Sequence, residues 1–172
     1  VDRPNLSKDY LAGEAEENWL PLRDKNWYQE NEIELYLNTR VDQVNASERT
    51  VTTDDGEIFQ YDKLLLASGS QPRTMGDIPG QGLRNIFTLR SKEDADQIIQ
   101  QMGEGKAVAI IGASFIGMEV ASSIAERGAD VVIVERNGIP FSKQLGDRVG
   151  GFLKKTHEDN GVRFKTGVKV SA

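Results

Sequence analysis

The chain of 172 residues contains no cysteine. That absence excludes disulfide staples, thiolate nucleophiles and cysteine-ligated metals, and leaves any electron traffic to a bound cofactor. A single histidine, His157, is read as a solvent-facing helix residue, and no metal site is expected. No apolar stretch approaches the ~20 residues needed to cross a bilayer, and the first residues have neither the charged start nor the apolar middle of a signal peptide. Neither a membrane span nor an export signal is therefore expected, and the location is left open between cytoplasm and mitochondrion. Basic residues are also in deficit: 21 Lys and Arg stand against 27 Asp and Glu, for a net charge of −6. Phosphate backbones need clustered cations, so nucleic acid is not an expected partner. A single nucleotide held by backbone amides needs no such excess. The 38% of hydrophobic residues can supply a core for one domain or two small lobes.

Along the chain, Pro4 and Gly13 bracket a short predicted helix at 7–11, with Ser7 or Asn5 placed to cap it. A helix follows at 22–31, in which Trp27 and Tyr28 are expected on a core face. Trp19, like Trp27, is read as a packing residue. A strand is predicted at 33–37. From 40 to 61 short alternating runs are separated by turn signals at Asn45-Ala46-Ser47 and Asp54-Asp55-Gly56, the pattern of a small antiparallel meander. A buried strand is expected at KLLLA, 63–67, followed by a breaker-rich linker at 69–82. A lobe boundary is placed near Arg90, dividing the chain into 1–90 and 91–172. Ser91 caps a helix over 92–102, and a strand, a helix and a strand follow. A helix at 146–159 and short strands at 162–164 and 168–170 complete the reading.

The stretch AVAIIGASFIGMEVASSIAERGADVVIVER carries the chemistry. Residues 107–111 suit a buried parallel strand, and Gly112 permits the tight turn that lets a helix start at once. Ile116, Val120 and Ile124, four apart, are expected to face the sheet, and Gly117 sits where the helix must approach the strand closely. Amides at such a helix start, Ala113 to Ile116 here, point outward with the positive end of the dipole and form a seat for pyrophosphate. G-A-S-F-I-G differs from the dinucleotide fingerprint G-x-G-x-x-G only at Ser114. About twenty residues on, the next strand ends at Glu135, where the fingerprint expects an acid on the ribose 2′-hydroxyl. A carboxylate there repels a 2′-phosphate, so NAD(H) is expected over NADP(H). The NAD site is thus read as Gly112, Ala113, Ser114, Phe115, Ile116, Gly117 and Glu135. A purely structural α/β crossover would use the same glycines for packing alone.

Four stretches taken together, DRPNLSK (2–8), YDKLLLASGSQPR (61–73), FTLRSKEDA (87–95) and GASFIGMEVA (112–121), resemble the flavin-dependent pyridine nucleotide reductases of the ferredoxin reductase and apoptosis-inducing factor type. The later run IPFSKQLGDRVGGFLKKTHEDNGVRF is similar to the AIF-like branch. The resemblance implies an α/β fold: a Rossmann-like parallel sheet forming an NAD(H)-binding lobe, beside an incomplete FAD lobe carrying the meander. It implies a central piece of such a protein, lacking the first FAD-binding βαβ unit and truncated in the NAD lobe. It places Arg3, Lys8, Val41 and Arg90 against FAD, and pairs Lys8 with Glu119 as the catalytic residues beside the flavin. A buried lysine next to a flavin needs such a carboxylate, and the pair orients the ring edge where hydride arrives. The implied activity is hydride transfer from NADH to FAD and onward electron transfer to an iron-sulfur or similar acceptor protein, such as a ferredoxin or a Rieske-type iron-sulfur domain. An NADH-binding, sensing or apoptosis-related signalling module without turnover is the second reading of the same motifs.

Overall fold

A computed structural model describes residues 1–73, 75, 76, 80 and 82–170. The chain divides into two compact units, Val1–Leu22 with Gln71–Ala172, and Arg23–Ser70. These units follow contacts, whereas the boundary near Arg90 concerns which cofactor each lobe serves and is taken up below as a proposal.

In the first unit, α1 (Arg3–Leu6) and α2 (Asp9–Ala12) replace the single helix expected at 7–11. Neither Ser7 nor Asn5 is the N-cap of α2, which is Lys8 with no side-chain bond, but Asn5 Oδ1 accepts from Tyr10 N at 3.0 Å. A 3₁₀ turn covers Glu17–Trp19. Then α4 (Lys92–Gln101) starts at Ser91 with both bonds of a capping box, Ser91 Oγ to Asp94 N and Asp94 to Ser91 N, which satisfies two orphan donors at once. Strand β4 (Ala107–Ile111), helix α5 (Phe115–Glu126) and strand β5 (Asp130–Glu135) follow. Helix α6 (Ser142–Asp159), broken at Gly146, leads into β6 (Arg163–Thr166). The sheet runs β4-β5-β6, parallel throughout, with Ile110 beside Ile133 and Ile133 beside Phe164. The strand expected at 162–164 starts one residue later and ends two residues later, and 168–170 form no strand: there Gly167 N and Val168 N turn back to Asn137 O and Glu135 O.

The main core is made where α5 lies on this sheet. Met118, Val120, Ala121 and Ile124 pack with Val131, Ile133 and Val162. Ile116 does not join them and is exposed. At 100° per residue, positions four apart drift by about 40°, so a stripe centred on 120–124 has left residue 116 on the open side. A second cluster sets Leu6, Tyr10, Ala15 and Leu20 against Ala95 of α4. Leu6, Leu11 and Leu20 are fully buried, each worth about 1.5–3 kcal/mol relative to exposure. That is why the amino-terminal segment is part of this unit.

In the second unit, Asp24 caps α3 (Lys25–Glu30) by accepting from Trp27 N at 2.8 Å. The meander is as expected: β1 (Val41–Asn45), β2 (Thr50–Thr53) and β3 (Ile58–Gln60) are antiparallel neighbours. Asn45 Oδ1 closes the first turn on Ser47 N and Glu48 N, the Asx geometry its composition implies. Three expectations fail here. Residues 33–37 form no strand. Residues 63–67 form none either, and Leu65 and Leu66 are 86% and 72% exposed; among the described residues no strand pairs with them, and a β run without a partner has no ladder to stabilise it. Trp27 lies on the surface, with Arg23 over its ring at 5.2 Å and Tyr28 edge-on at the same distance. Trp19, in the first unit, is also exposed rather than packed. The linker expected at 69–82 lies partly outside the described residues. Among those described, no helix is long and apolar enough to cross a membrane.

Candidate functional site

The site grows from the carboxyl end of β4. The ladder continues one residue past the strand, Gly112 N donating to Val134 O at 2.8 Å, and Gly112 then turns the chain at φ 99°, a backbone conformation costly to any residue with a Cβ. A Cβ placed there would meet nothing within 4 Å, so the turn faces open space. At Gly117 the opposite holds: its Cβ would lie 2.1 Å from Gly112 O. The helix can start over the turn only because residue 117 has no side chain.

Ser114, the departure from the fingerprint, is the N-cap of α5. Its Oγ accepts from Gly117 N at 3.4 Å, a long contact, and this explains a serine where the fingerprint has glycine. Ala113 N donates to Glu135 Oε2 at 2.8 Å. The amides of Ser114, Phe115 and Ile116 have no acceptor among the described residues. Three free N–H groups at the positive end of a twelve-residue helix suit an anion. Phe115 and Ile116 are both more than half exposed beside them.

Glu135 ends β5 and is 9% exposed. Besides Ala113 N, its carboxylate accepts from Asn137 N at 2.9 Å and Asn137 Nδ2 at 2.7 Å, both on Oε1. Burial works to raise its pKa, but the amides of Asn137 and Ala113 outweigh burial and hold the carboxyl below the usual range.

The second constellation lies along α5. Glu119 Oε1 is 2.9 Å from Lys8 Nζ, and Oε2 accepts from Ser7 Oγ at 2.6 Å. Lys8 Nζ also donates to Pro4 O at 3.1 Å. One turn on, Ser123 Oγ donates to Ser7 O at 2.9 Å and reaches Lys8 O at 3.3 Å; a further turn on, Arg127 Nε donates to Leu11 O. Residues 119, 123 and 127 thus form a polar stripe, four apart, that binds the segment carrying Lys8. Sequence reasoning missed Ser123 and Arg127, although polar residues at helical spacing opposite an apolar stripe were a readable signal. Lys8 is 45% exposed and Glu119 29%, so the pair adds at most about 1 kcal/mol of stability; its effect is to fix direction.

Between the amino-terminal segment, α5 and α6 lies an open cleft of about 520 Å³, with Lys8, Glu119, Phe115, Met118, Phe141 and His157 on its walls. His157 is therefore not solvent-facing as expected. Its Nδ1 lies 3.0 Å from Leu153 O and its Nε2 3.1 Å from Met118 O, because α6 packs that face toward α5. The structure thus brings Lys8, Glu119 and the 112–117 turn into one unit. Arg3, on α1, is exposed, and Arg90 N donates to Asp94 Oδ2 at 2.8 Å beside the capping box; neither lines the cleft. Val41 opens β1 in the other unit, opposite Thr53.

A parallel strand turning through Gly112 into a helix with free first amides, beside an acid ending the next parallel strand, is the arrangement of a Rossmann-type fold. Comparison with known proteins specifies the family. Residues 1–172 match the model described as "Pyridine nucleotide-disulphide oxidoreductase", and the chain belongs to this family, which uses FAD and NAD(H). It is 38% identical over 170 residues to "Apoptosis-inducing factor 3" of Homo sapiens, covering 99% of this chain and 27% of that protein. It is 31% identical over 170 residues to "Rubredoxin-NAD(+) reductase" of Pseudomonas putida, covering 99% and 44%. Among solved structures, a chain of the covalent putidaredoxin reductase–putidaredoxin complex superposes with a TM-score of 0.92 at 32% identity, covering 99% of this chain and 41% of that one. The chain therefore spans less than half the length of these relatives.

The residues present fit the family's cofactors. NAD(H) would find open space in front of Gly112, three free amides and a held carboxylate. For FAD, Lys8 has two donors committed, to Pro4 O and Glu119 Oε1; an ammonium has three, so one remains for an electron-rich ring edge.

Proposed function

We propose that the protein is an NADH-dependent flavoprotein oxidoreductase that passes electrons to an iron-sulfur carrier of ferredoxin or Rieske type, with 91–172 serving NAD(H) and 1–90 serving FAD. The observation that carries this reading is the Gly112 turn, with its free amides at Ser114, Phe115 and Ile116 beside Glu135. When bound, NADH supplies hydride and FAD accepts it and releases electrons singly. The chain's own residues do the rest. The amides of Ser114, Phe115 and Ile116 bind the pyrophosphate, and the helix dipole adds to their charge. Glu135 accepts from the ribose 2′-hydroxyl and repels a 2′-phosphate, which favours NADH over NADPH. Glu119 fixes the Lys8 ammonium, Ser7 fixes Glu119, and the stripe of Ser123 and Arg127 keeps the Lys8 segment on α5, so that the ammonium meets the flavin edge in one orientation. Arg3, Arg90 and the Val41 backbone are assigned to the flavin.

The names of the relatives, a rubredoxin-NAD(+) reductase and a putidaredoxin reductase covalently joined to putidaredoxin, support the electron-carrier part. The test is rapid anaerobic mixing of the flavin-loaded protein with NADH, followed by flavin absorbance. Bleaching by NADH faster than by NADPH, slowed about tenfold or more in Glu119→Gln through loss of a charge-assisted contact, is the expected result. A flavin that NADH does not reduce would refute the enzyme reading.

A further inference from the structure

Asn137 belongs to no motif in the sequence and lies two residues beyond the strand that carries the acid. Its main-chain N–H and its side-chain Nδ2–H both donate to Glu135 Oε1, at 2.9 and 2.7 Å. With Oε1 doubly held, Oε2 is the oxygen that reaches across to Ala113 N at 2.8 Å. An ionised carboxylate offers about four acceptor sites; these three donors leave one. The bend around Asn137 does not depend on its side chain, because Asn137 O accepts from Gly167 N at 3.1 Å and Glu135 O from Val168 N at 3.2 Å.

We propose that Asn137 is a positioning residue for nucleotide recognition: its side-chain amide clamps the Glu135 carboxylate so that one oxygen holds the glycine turn through Ala113 and a single acceptor remains for a ribose hydroxyl. The inference rests on the reading of 112–117 as a nucleotide seat. It changes what Glu135 does. A carboxylate that only reads the 2′-hydroxyl would, when neutralised in Glu135→Gln, lose NADH and gain NADPH. A carboxylate that also holds the turn loses affinity for both, because the pyrophosphate amides lose their fixed geometry.

Titration separates a clamp from general packing. The Asn137 and Ala113 amides offset burial and keep the carboxyl ionised below the usual range, with Arg136 as a further charged neighbour. No titratable side chain comes from β4, whose residues are AVAII, or from the Phe115-Ile116-Gly117 start of α5, and the register partner of Glu135 on β6 is Thr166. Removing the Nδ2 donor therefore moves the carboxyl titration to higher pH.

The experiment uses the 172-residue chain, nitrogen-15 labelled, with NADH and NADPH as probes. In the wild type the Ala113 amide shift follows one carboxyl titration, which vanishes in Glu135→Gln. In Asn137→Ala the midpoint rises and Ala113 amide exchange quickens about tenfold, the weight of one hydrogen bond to a charged group. Asn137→Asp, isosteric but without the donor and with a second carboxylate, raises the midpoint further. Gly167 and Val168 amides stay protected in both, which certifies the fold. NADH binding weakens about tenfold in Asn137→Ala, and its acid limb moves up with the Ala113 midpoint. An unchanged midpoint in Asn137→Ala, with wild-type NADH binding intact, overturns the clamp. A wild-type chain that binds neither nucleotide overturns the seat, and with it the role in recognition, even if Ala113 titrates as described.

Discussion

Replacing Gly117 by alanine is the most exacting test of the βαβ packing. Alanine is the better helix former by about 1 kcal/mol, so propensity alone predicts a gain. The structure predicts a loss. The added Cβ would lie 2.1 Å from Gly112 O and 3.3 Å from Gly112 C, where real Cβ contacts essentially never fall below 3.0 Å. Helix and turn must therefore separate by about 1 Å, the difference between 3.0 and 2.1 Å, and both atoms belong to backbone that cannot swing aside. Overpacking of this kind costs about 1–3 kcal/mol, at the upper end here, which leaves a net destabilisation of about 2 kcal/mol after the propensity gain. Displacing the turn also spoils the pyrophosphate amides, so NADH affinity falls by about tenfold or more, since a misplacement near 1 Å is enough to lose that much. Gly151→Ala is the internal control: that helical glycine has nothing within 4 Å of its Cβ and gains up to about 1 kcal/mol. Because the chain has two compact units, the assay is amide hydrogen exchange on α5 and β4 under mild urea, with calorimetric NADH titration alongside. Equal protection of α5 in Gly117→Ala and Gly151→Ala would refute the close-approach argument.

Other outcomes follow from the segment that carries Lys8. Tyr10→Phe removes a 2.6 Å hydrogen bond to Asp96 Oδ1, while Lys92 remains on Oδ2 at 2.7 Å; a loss of about 1 kcal/mol is expected in thermal unfolding, below the full charged-bond value because Asp96 is partly solvated. The donors Lys92 and Tyr10 hold the Asp96 carboxyl below its ordinary range. Its stabilisation is therefore complete above the unfolded value near ~3.9 and lost as pH falls through the folded one, and Tyr10→Phe narrows that acid window, which an acid-unfolding curve will show. Ser123→Ala removes the donor to Ser7 O and Lys8 O; exchange at residues 7–12 should quicken several-fold with α4 unaffected, and uniform protection would contradict the stripe.

How much of this was legible in the sequence depended on range. Where the determinants are local, the reading held: Ser91 with Asp94 makes the capping box, Asn45 closes its turn, and the Ala107–Glu135 stretch folds as strand, helix and strand, although its first strand is less buried than expected. Apolar runs without a local rule misled. The KLLLA run has the composition of a buried strand, but a strand is completed by its neighbour, and its leucines stand exposed. Trp27 is expected on a core face, but its ring settles against Arg23 and Tyr28 on the surface. Ile116 was lost to helical drift over two turns. His157 was placed in solvent because nothing in its own helix shows that α6 turns that face toward Met118. The site divides the same way: Gly112, Ser114 and Glu135 are readable from spacing, whereas Ser7, Ser123, Arg127 and Asn137 acquire meaning only when distant segments meet.

The claim on which the account rests is that the turn after β4 is a nucleotide seat whose neighbouring acid rejects a 2′-phosphate. Calorimetric titration of the chain with NADH and, in parallel, NADPH tests it most directly. The account predicts saturable binding of NADH, tighter than that of NADPH and weakened about tenfold or more in Gly117→Ala; NADPH binding as tightly as NADH, or NADH binding undiminished in Gly117→Ala, would contradict it.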